Sequence, residues 1–137
     1  GKVDVLNIIQ NMITPLRIRT LKTNTIVVLV YDTDIQKTDI LKKNVDFLKK
    51  QNAVSKVVCI PQVKNLEEEL VRACGIKDIR ELTHSETQSN YKSDLIRCTN
   101  LAARLKQCNF DMCKFWSESP QDMFKTFGND SDMIRRV

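Results

Sequence analysis

A run of seven residues, TIVVLVY at positions 25–31, constrains the fold of this chain more than any other segment. The run is continuously apolar and rich in β-branched residues, a pattern typical of a central strand in a sheet covered on both faces. It is much shorter than the roughly 20 apolar residues that cross a bilayer. We therefore predict a buried, parallel strand and no association with a membrane.

Helix and strand patterns alternate along the rest of the chain. A second buried strand is predicted over 54–60, stopped by Pro61. Residues 76–83 are predicted to form a short third strand or a turn, and 84–90 a loop. Helices are predicted over 2–13, ended by Pro15, and over 38–51, capped by Thr38. A third helix is predicted after Asn65, with Glu68 in a capping box and Gly75 at its end. Two more are predicted, one from about 89 to 106 and one after Asn109. This alternation favours an α/β domain, a mostly parallel sheet with helices on both faces.

Composition narrows the class of protein further. A chain of 137 residues suits one domain, and 42% apolar with 28% charged residues argues against disorder. The net charge of +5 permits contacts with nucleic-acid phosphates. Five cysteines, an odd number, without a secretory signal in these residues favour reduced thiols in a cytoplasmic protein. The sequence has no C-x-x-C pair, and its single histidine, His84, is predicted to be a surface loop residue. A structural zinc site is therefore not expected.

Asp32-Thr33-Asp34 follows the apolar strand directly. Ligands of open α/β sheets gather at the carboxyl ends of strands, and residues two apart in an extended chain point to one side. Two carboxylates this close repel each other unless a cation lies between them, and Mg²⁺ (or Mn²⁺) suits oxygen ligands. The alternative is that Asp32 and Asp34 form a polar turn that caps the next helix.

Two further features carry possible chemistry. Of the acidic run 67–69, Glu67 is the candidate functional residue; the alternative is that these acids stabilise the helix dipole and cap the helix. In Tyr91-Lys92, the lysine is a candidate for offsetting charge in a phosphoryl-transfer transition state, and Tyr91 for stacking on a base or anchoring the loop. A solvated Lys92 without a catalytic role is the alternative.

The order of these features resembles a known family. VVLVYDTDI at 27–35 resembles the second acidic motif of TOPRIM domains, the metal-binding folds of topoisomerases, primases and several nucleases. Gly1-Lys2 resembles the glycine-containing turn of TOPRIM nucleases of the overcoming-lysogenization-defect type. The segment 64–67 (KNLE), followed at a distance by Tyr91-Lys92, is similar in spacing to RloB-like proteins of bacterial restriction and defence loci.

The resemblance implies one TOPRIM-like domain over 1–137, a Mg²⁺-dependent nuclease that cleaves phosphodiester bonds of DNA or RNA in restriction or antiphage defence. Asp32 and Asp34 would hold the metal, Glu67 would act as auxiliary ligand or base, and Lys92 would stabilise phosphate charge. A partner protein or a homo-oligomer is also expected. The TOPRIM pattern has a glutamate on an earlier strand, but no glutamate precedes Glu67, so that strand is expected upstream of residue 1.

Two other functions stay open. The segment DTDI also resembles the first motif of haloacid-dehalogenase-type phosphatases, which implies Asp32 as nucleophile and Asp34 as acid/base. Residues 128–132 (GNDSD) are then a candidate for the terminal acidic motif, although the next strand lacks the Ser or Thr that this pattern requires. The other alternative is a noncatalytic interaction module.

Overall fold

Two parallel strands form the sheet of this protein. The computed structural model describes residues 1–84 and 91–135. Strand β1, Thr25–Asp32, pairs along its length with β2, Val54–Gln62, and helix α2, Asp39–Lys49, connects them. The α/β class and the parallel pairing are confirmed, but the sheet of the described residues has two strands only.

Helix α2 packs against one face of this sheet. Its predicted buried positions Leu41, Val45 and Leu48 are at most 5% exposed. They form one cluster with β1 and β2 residues, including Leu29 and Cys59. Thr38 precedes the helix as predicted, but its side chain makes no capping hydrogen bond. The β1–α2–β2 unit therefore supplies the main core.

The helix predicted over 2–13 is wrong, because the segment forms turns instead. Three of its backbone groups bond to Asn44, a buried residue of α2, while Gln10 N and Asn11 N donate locally to Asn7 O. Ile13 N donates to Asn44 Oδ1 at 2.7 Å, and Asn44 Nδ2 donates to the carbonyl oxygens of Ile8 and Asn11 at 2.9 Å each. One amide side chain thus satisfies three backbone groups that a longer helix would pair within itself.

The other helices are short, and in the described part of the chain none is long and apolar enough to cross a membrane. Asn65 caps α3 by accepting from Glu68 N, and Gly75 ends it in the left-handed conformation, both as predicted. Pro15 begins α1 rather than ending a helix. The helices are α1 Pro15–Ile18, α3 Leu66–Cys74, α4 Arg80–Thr83, α5 Tyr91–Arg97, α6 Leu101–Gln107 and α7 Asp132–Arg135, with a 3-10 helix Met123–Phe127.

Three predictions in the second half of the chain are wrong in whole or part. No strand forms over 76–83, where α4 lies. The helix predicted over 89–106 is two helices separated at 98–100, and its predicted start lies outside the described residues, as does the predicted loop beyond His84. The predicted last helix is replaced by turns, the 3-10 helix and α7. These turns lead back to the sheet, where Asp130 makes two hydrogen bonds with Cys59 of β2. Asp130 N donates to Cys59 O, and Cys59 N donates to the Asp130 carboxylate.

The prediction that β1 is covered on both faces is wrong for one face. Val28 pairs with Val58 and Val30 with Ile60, so each pair shares that face. The β2 members are 2% and 0% exposed, whereas Val28, Val30 and the preceding Ile26 are 42%, 40% and 59% exposed. On this face the β2 side chains are buried and those of β1 are not. Among the described residues β1 is an edge strand, with no second strand beside it.

Candidate functional site

The carboxylate of Asp32 lies at the carboxyl end of β1, opposite Gln62 at the end of β2. With the Gln62 amide oriented by its neighbours, Nε2 donates to Asp32 Oδ1 at 2.8 Å and Oε1 accepts from Trp116 Nε1 at 3.2 Å. This orientation is required because a carboxylate only accepts and an indole N–H only donates. Gln62 therefore fixes one oxygen of Asp32 from the interior.

Thr33 is buried between the two aspartates and joins the loops that follow the strands. Thr33 N donates to Lys64 O at 2.9 Å, and Lys64 N donates to Thr33 Oγ1 at 3.0 Å. The Thr33 hydroxyl donates in turn to Gln62 O at 3.0 Å. Asp32 is partly buried and Asp34 is exposed. These hydrogen bonds hold the Asp32–Asp34 segment beside the chain that leads to α3.

The acidic run at the start of α3 divides into different environments. Glu69 is fully buried, and its carboxylate accepts from Val63 N at 3.0 Å, from Trp116 N at 2.8 Å and from the Arg72 guanidinium. Glu67 is only partly buried. Glu69 is therefore a structural residue that ties α3 to two loops, a role that the sequence pattern does not separate from that of Glu67.

Tyr91 is the first residue of α5, and its phenol is affected by the charges of the predicted site residues. Its side chain is 6% exposed. Burial raises the pKa of Tyr91 to about 12, and the negative charges of Glu67, Asp32 and Asp34 add to the increase. Lys92 follows Tyr91 in the first turn of α5.

The donor set has the chemistry of a hard-cation site. Asp32, Asp34 and Glu67 offer carboxylate oxygens only, as Mg²⁺ and Mn²⁺ prefer. Within 1–84 and 91–135, however, no three Asp, Glu, Cys or His side chains group closely enough to hold a metal ion. Mg²⁺ commonly keeps several waters and binds through one or two carboxylates and substrate phosphates, and carboxylates such as those of Asp32 and Asp34 are of this ligand type.

The remaining candidate residues lie elsewhere or serve the fold. None of the five cysteines forms a disulfide in the structure. His84 is exposed at the end of α4, also as predicted. Asp130, in the segment considered for a phosphatase acidic motif, accepts from Cys59 N at 2.9 Å and donates from its own backbone to Cys59 O at 2.8 Å. It therefore has a structural role at the edge of β2.

Sequence reasoning missed Gln62 and Trp116. In the sequence, Gln62 is an ordinary polar residue after a strand. The one feature that marks it as a candidate site residue is its position at the carboxyl end of the second strand. Trp116 lies in the tail, which was expected to form a helix, and nothing local connects it with Asp32. The structure brings it there through Gln62.

Comparison of the chain with protein-family models, with curated proteins and with solved structures finds no match in any of the three. The function is therefore inferred from the residues of the chain and from their arrangement.

Proposed function

We propose that this protein is a divalent-cation-dependent hydrolase of phosphodiester bonds in nucleic acid, a nuclease with a TOPRIM-like acidic site. The observation that carries the proposal is the position of Asp32 at the carboxyl end of β1, where Gln62 at the end of β2 holds its carboxylate, directly before Asp34. This edge of an open α/β sheet is where ligands bind in proteins of this class.

The TOPRIM-like part of the proposal depends on the Asp-x-Asp sequence after β1. The β1–α2–β2 unit supports it, since a parallel pair joined by a helix is the repeating unit of such sheets. By the same resemblance we propose a cytoplasmic role in bacterial restriction or antiphage defence, with a partner protein or a second copy of the chain.

Each residue has a separate task in this proposal. Asp32 and Asp34 hold Mg²⁺ or Mn²⁺, and Gln62 keeps Asp32 in a fixed orientation, as outer-shell hydrogen bonds do for metal ligands. The bound ion supplies positive charge to the phosphate that reacts. Glu67 takes the proton of the attacking water or assists Asp32 and Asp34 in holding the ion, and Lys92 offsets charge that develops on the phosphate oxygens.

A melting series tests the metal site. The wild-type protein, Asp32→Asn and Asp46→Asn are heated with and without millimolar Mg²⁺ or Mn²⁺. Asp46 is a matched control, an exposed aspartate on the α2 helix. The wild type and Asp46→Asn should be stabilised by the ion, because a ligand of the folded state raises Tm. Asp32→Asn should lose this effect and be more stable without the ion, since one repelling charge is removed.

Cleavage of single-stranded and duplex DNA and RNA, measured with the same proteins, tests the reaction. We expect cation-dependent cleavage by the wild type and by Asp46→Asn, and none by Asp32→Asn. A wild type with no cation-dependent shift in Tm and no cleavage would contradict the proposal and favour an interaction module. A phosphoaspartate at Asp32 after incubation with a phosphomonoester would instead favour the phosphatase.

A further inference from the structure

Trp116 has a left-handed backbone conformation, with φ at +57°, which is uncommon for a residue with a bulky side chain. Three side chains hold this conformation. Trp116 N donates to Glu69 Oε2 at 2.8 Å, while Asn129 Nδ2 and Ser131 Oγ donate to Trp116 O at 2.9 Å and 2.8 Å. Because such conformations persist only where the surroundings determine them, the fold itself sets the direction of the indole.

The indole ring lies beside the acidic site with part of its surface exposed. Phe115 stacks on it, with ring centroids 4.5 Å apart and an angle of 23° between the planes. Since Phe115 covers one face of the indole, the other face is the one on which a base can stack. Trp116 Nε1 donates to Gln62, which donates to Asp32, so a single amide group separates the ring from the carboxylate.

A positive charge accompanies this aromatic surface. Lys64 is exposed, and its backbone is held to Thr33 between the two aspartates. The chain as a whole carries a net charge of +5. An aromatic ring for bases together with cations for phosphates is the combination that binds single-stranded nucleic acid without strong sequence preference.

We propose that Trp116 is a stacking platform for an unpaired base, so that the strand bound at Asp32 is single-stranded. This inference rests on the proposed function for the class of ligand and narrows that class to strands with accessible bases. In a duplex both faces of each base are already stacked, and a base reaches the indole only after unstacking. Lys64 contacts a phosphate of the same strand.

Intrinsic fluorescence tests this directly, because Trp116 is the only tryptophan of the chain. The full protein is titrated in Ca²⁺ with a fluorescently labelled oligothymidylate and with a duplex of the same length. Fluorescence anisotropy of the label reports binding, and tryptophan emission reports stacking. We expect the single strand to quench Trp116 in parallel with the anisotropy change, and the duplex to bind more weakly and leave the emission unchanged.

Two variants distinguish the effect of the aromatic ring on binding from the effect of its hydrogen bond. Trp116→Phe and Trp116→Leu both lose the bond to Gln62, but only Trp116→Phe keeps an aromatic face. Trp116→Leu should bind the single strand roughly tenfold more weakly than Trp116→Phe, the change expected for one lost stacking contact. Melting curves of both variants verify that they are folded at the temperature of the titration.

Several results would overturn the platform. They are binding of the single strand with unchanged Trp116 emission, equal affinity of the two variants, equal quenching by the duplex, and no binding of either oligonucleotide. The first three of these results are compatible with a cation-dependent Tm shift and cleavage, so they overturn the platform alone, whereas no binding of either oligonucleotide together with no cleavage would count against both proposals.

Discussion

Thr33 and Lys64 exchange two hydrogen bonds across the carboxyl ends of the parallel strands. Thr33 N donates to Lys64 O at 2.9 Å, and Lys64 N donates to Thr33 Oγ1 at 3.0 Å. Lys64 adopts a left-handed conformation with φ at +66° in doing so. Through this pair, the loop that carries Asp34 and the segment that leads to Glu67 are held next to each other.

Thr33→Val should lower the free energy of unfolding by about 2 kcal/mol, because it removes the buried hydrogen bond to Gln62 O and leaves the partly buried Lys64 N without its acceptor. Thr33→Ser keeps the hydroxyl and should lose less. Thr38→Val is the matched control, since the Thr38 side chain makes no capping hydrogen bond. Urea denaturation measures all three variants. Equal losses for Thr33→Val and Thr38→Val would show that the Thr33 hydroxyl contributes nothing to stability.

Asp34→Asn should lower the pKa of Tyr91 from about 12 towards the ordinary value, because one of the carboxylates that raise it is neutralised. The titration is followed by tyrosinate absorbance in a Tyr31→Phe background, where Tyr91 is the only remaining tyrosine. Asp46→Asn, on the exposed side of α2, should leave the pKa unchanged. If Asp34→Asn also leaves it unchanged, Asp34 does not belong to the site.

The raised pKa of Tyr91 also predicts a loss of stability at high pH. The folded state holds the phenol proton up to about pH 12, whereas an unfolded tyrosine releases it near pH 10. This contribution to stability is therefore complete below about pH 10 and is lost as the pH rises through 12. In the Tyr31→Phe background, Tyr91→Phe should flatten this part of the stability curve. A curve with the same slope would assign the alkaline loss to other groups.

Glu69→Ala should destabilise the fold by about 3 kcal/mol, because Val63 N, Trp116 N and the Arg72 guanidinium lose a buried partner. Glu68→Ala should cost only a few tenths of a kcal/mol, since it removes an acid from the first turn without breaking the Asn65 cap. Urea denaturation followed by Trp116 emission compares them. Similar losses for both variants would contradict the structural role of Glu69.

Gln62→Met should weaken binding of Mn²⁺ about tenfold, because Asp32 loses the donor that orients it. Calorimetric titration with Mn²⁺ measures the affinity. Gln51→Met is the control, since Gln51 donates to Phe47 O at the end of α2 and does not contact the site. Unchanged affinity in Gln62→Met would mean that the Gln62 amide does not support the ion.

The elements that could be predicted from sequence are those set by nearby residues. Strands β1 and β2 were predicted because each is a short β-branched run. Asn65 and Gly75 mark the ends of α3 through contacts within a few residues. Asp32 ends β1 at the edge where the carboxyl ends of the parallel strands meet, a position that the apolar run before it predicts.

The errors depend on distant residues. The spacing of apolar residues over 2–13 fits a helix, but Asn44, which bonds to three backbone groups of that segment, lies more than thirty positions away. A continuous apolar run such as 25–31 does not reveal whether a layer covers its second face, and Val28 and Val30 are partly exposed. The contact of Trp116 with Gln62 likewise has no local signal.

The connection of the tail to β2 has a consequence for the order in which the protein is built. During synthesis, β1, α2 and β2 leave the ribosome together and can pair over a short stretch of chain. Asp130 reaches Cys59 across 71 positions, and Trp116 reaches Glu69 across 47. A nascent chain thus carries both aspartates well before the indole arrives beside them, and the site is complete only after the segment with Trp116 and Asp130 has been synthesised.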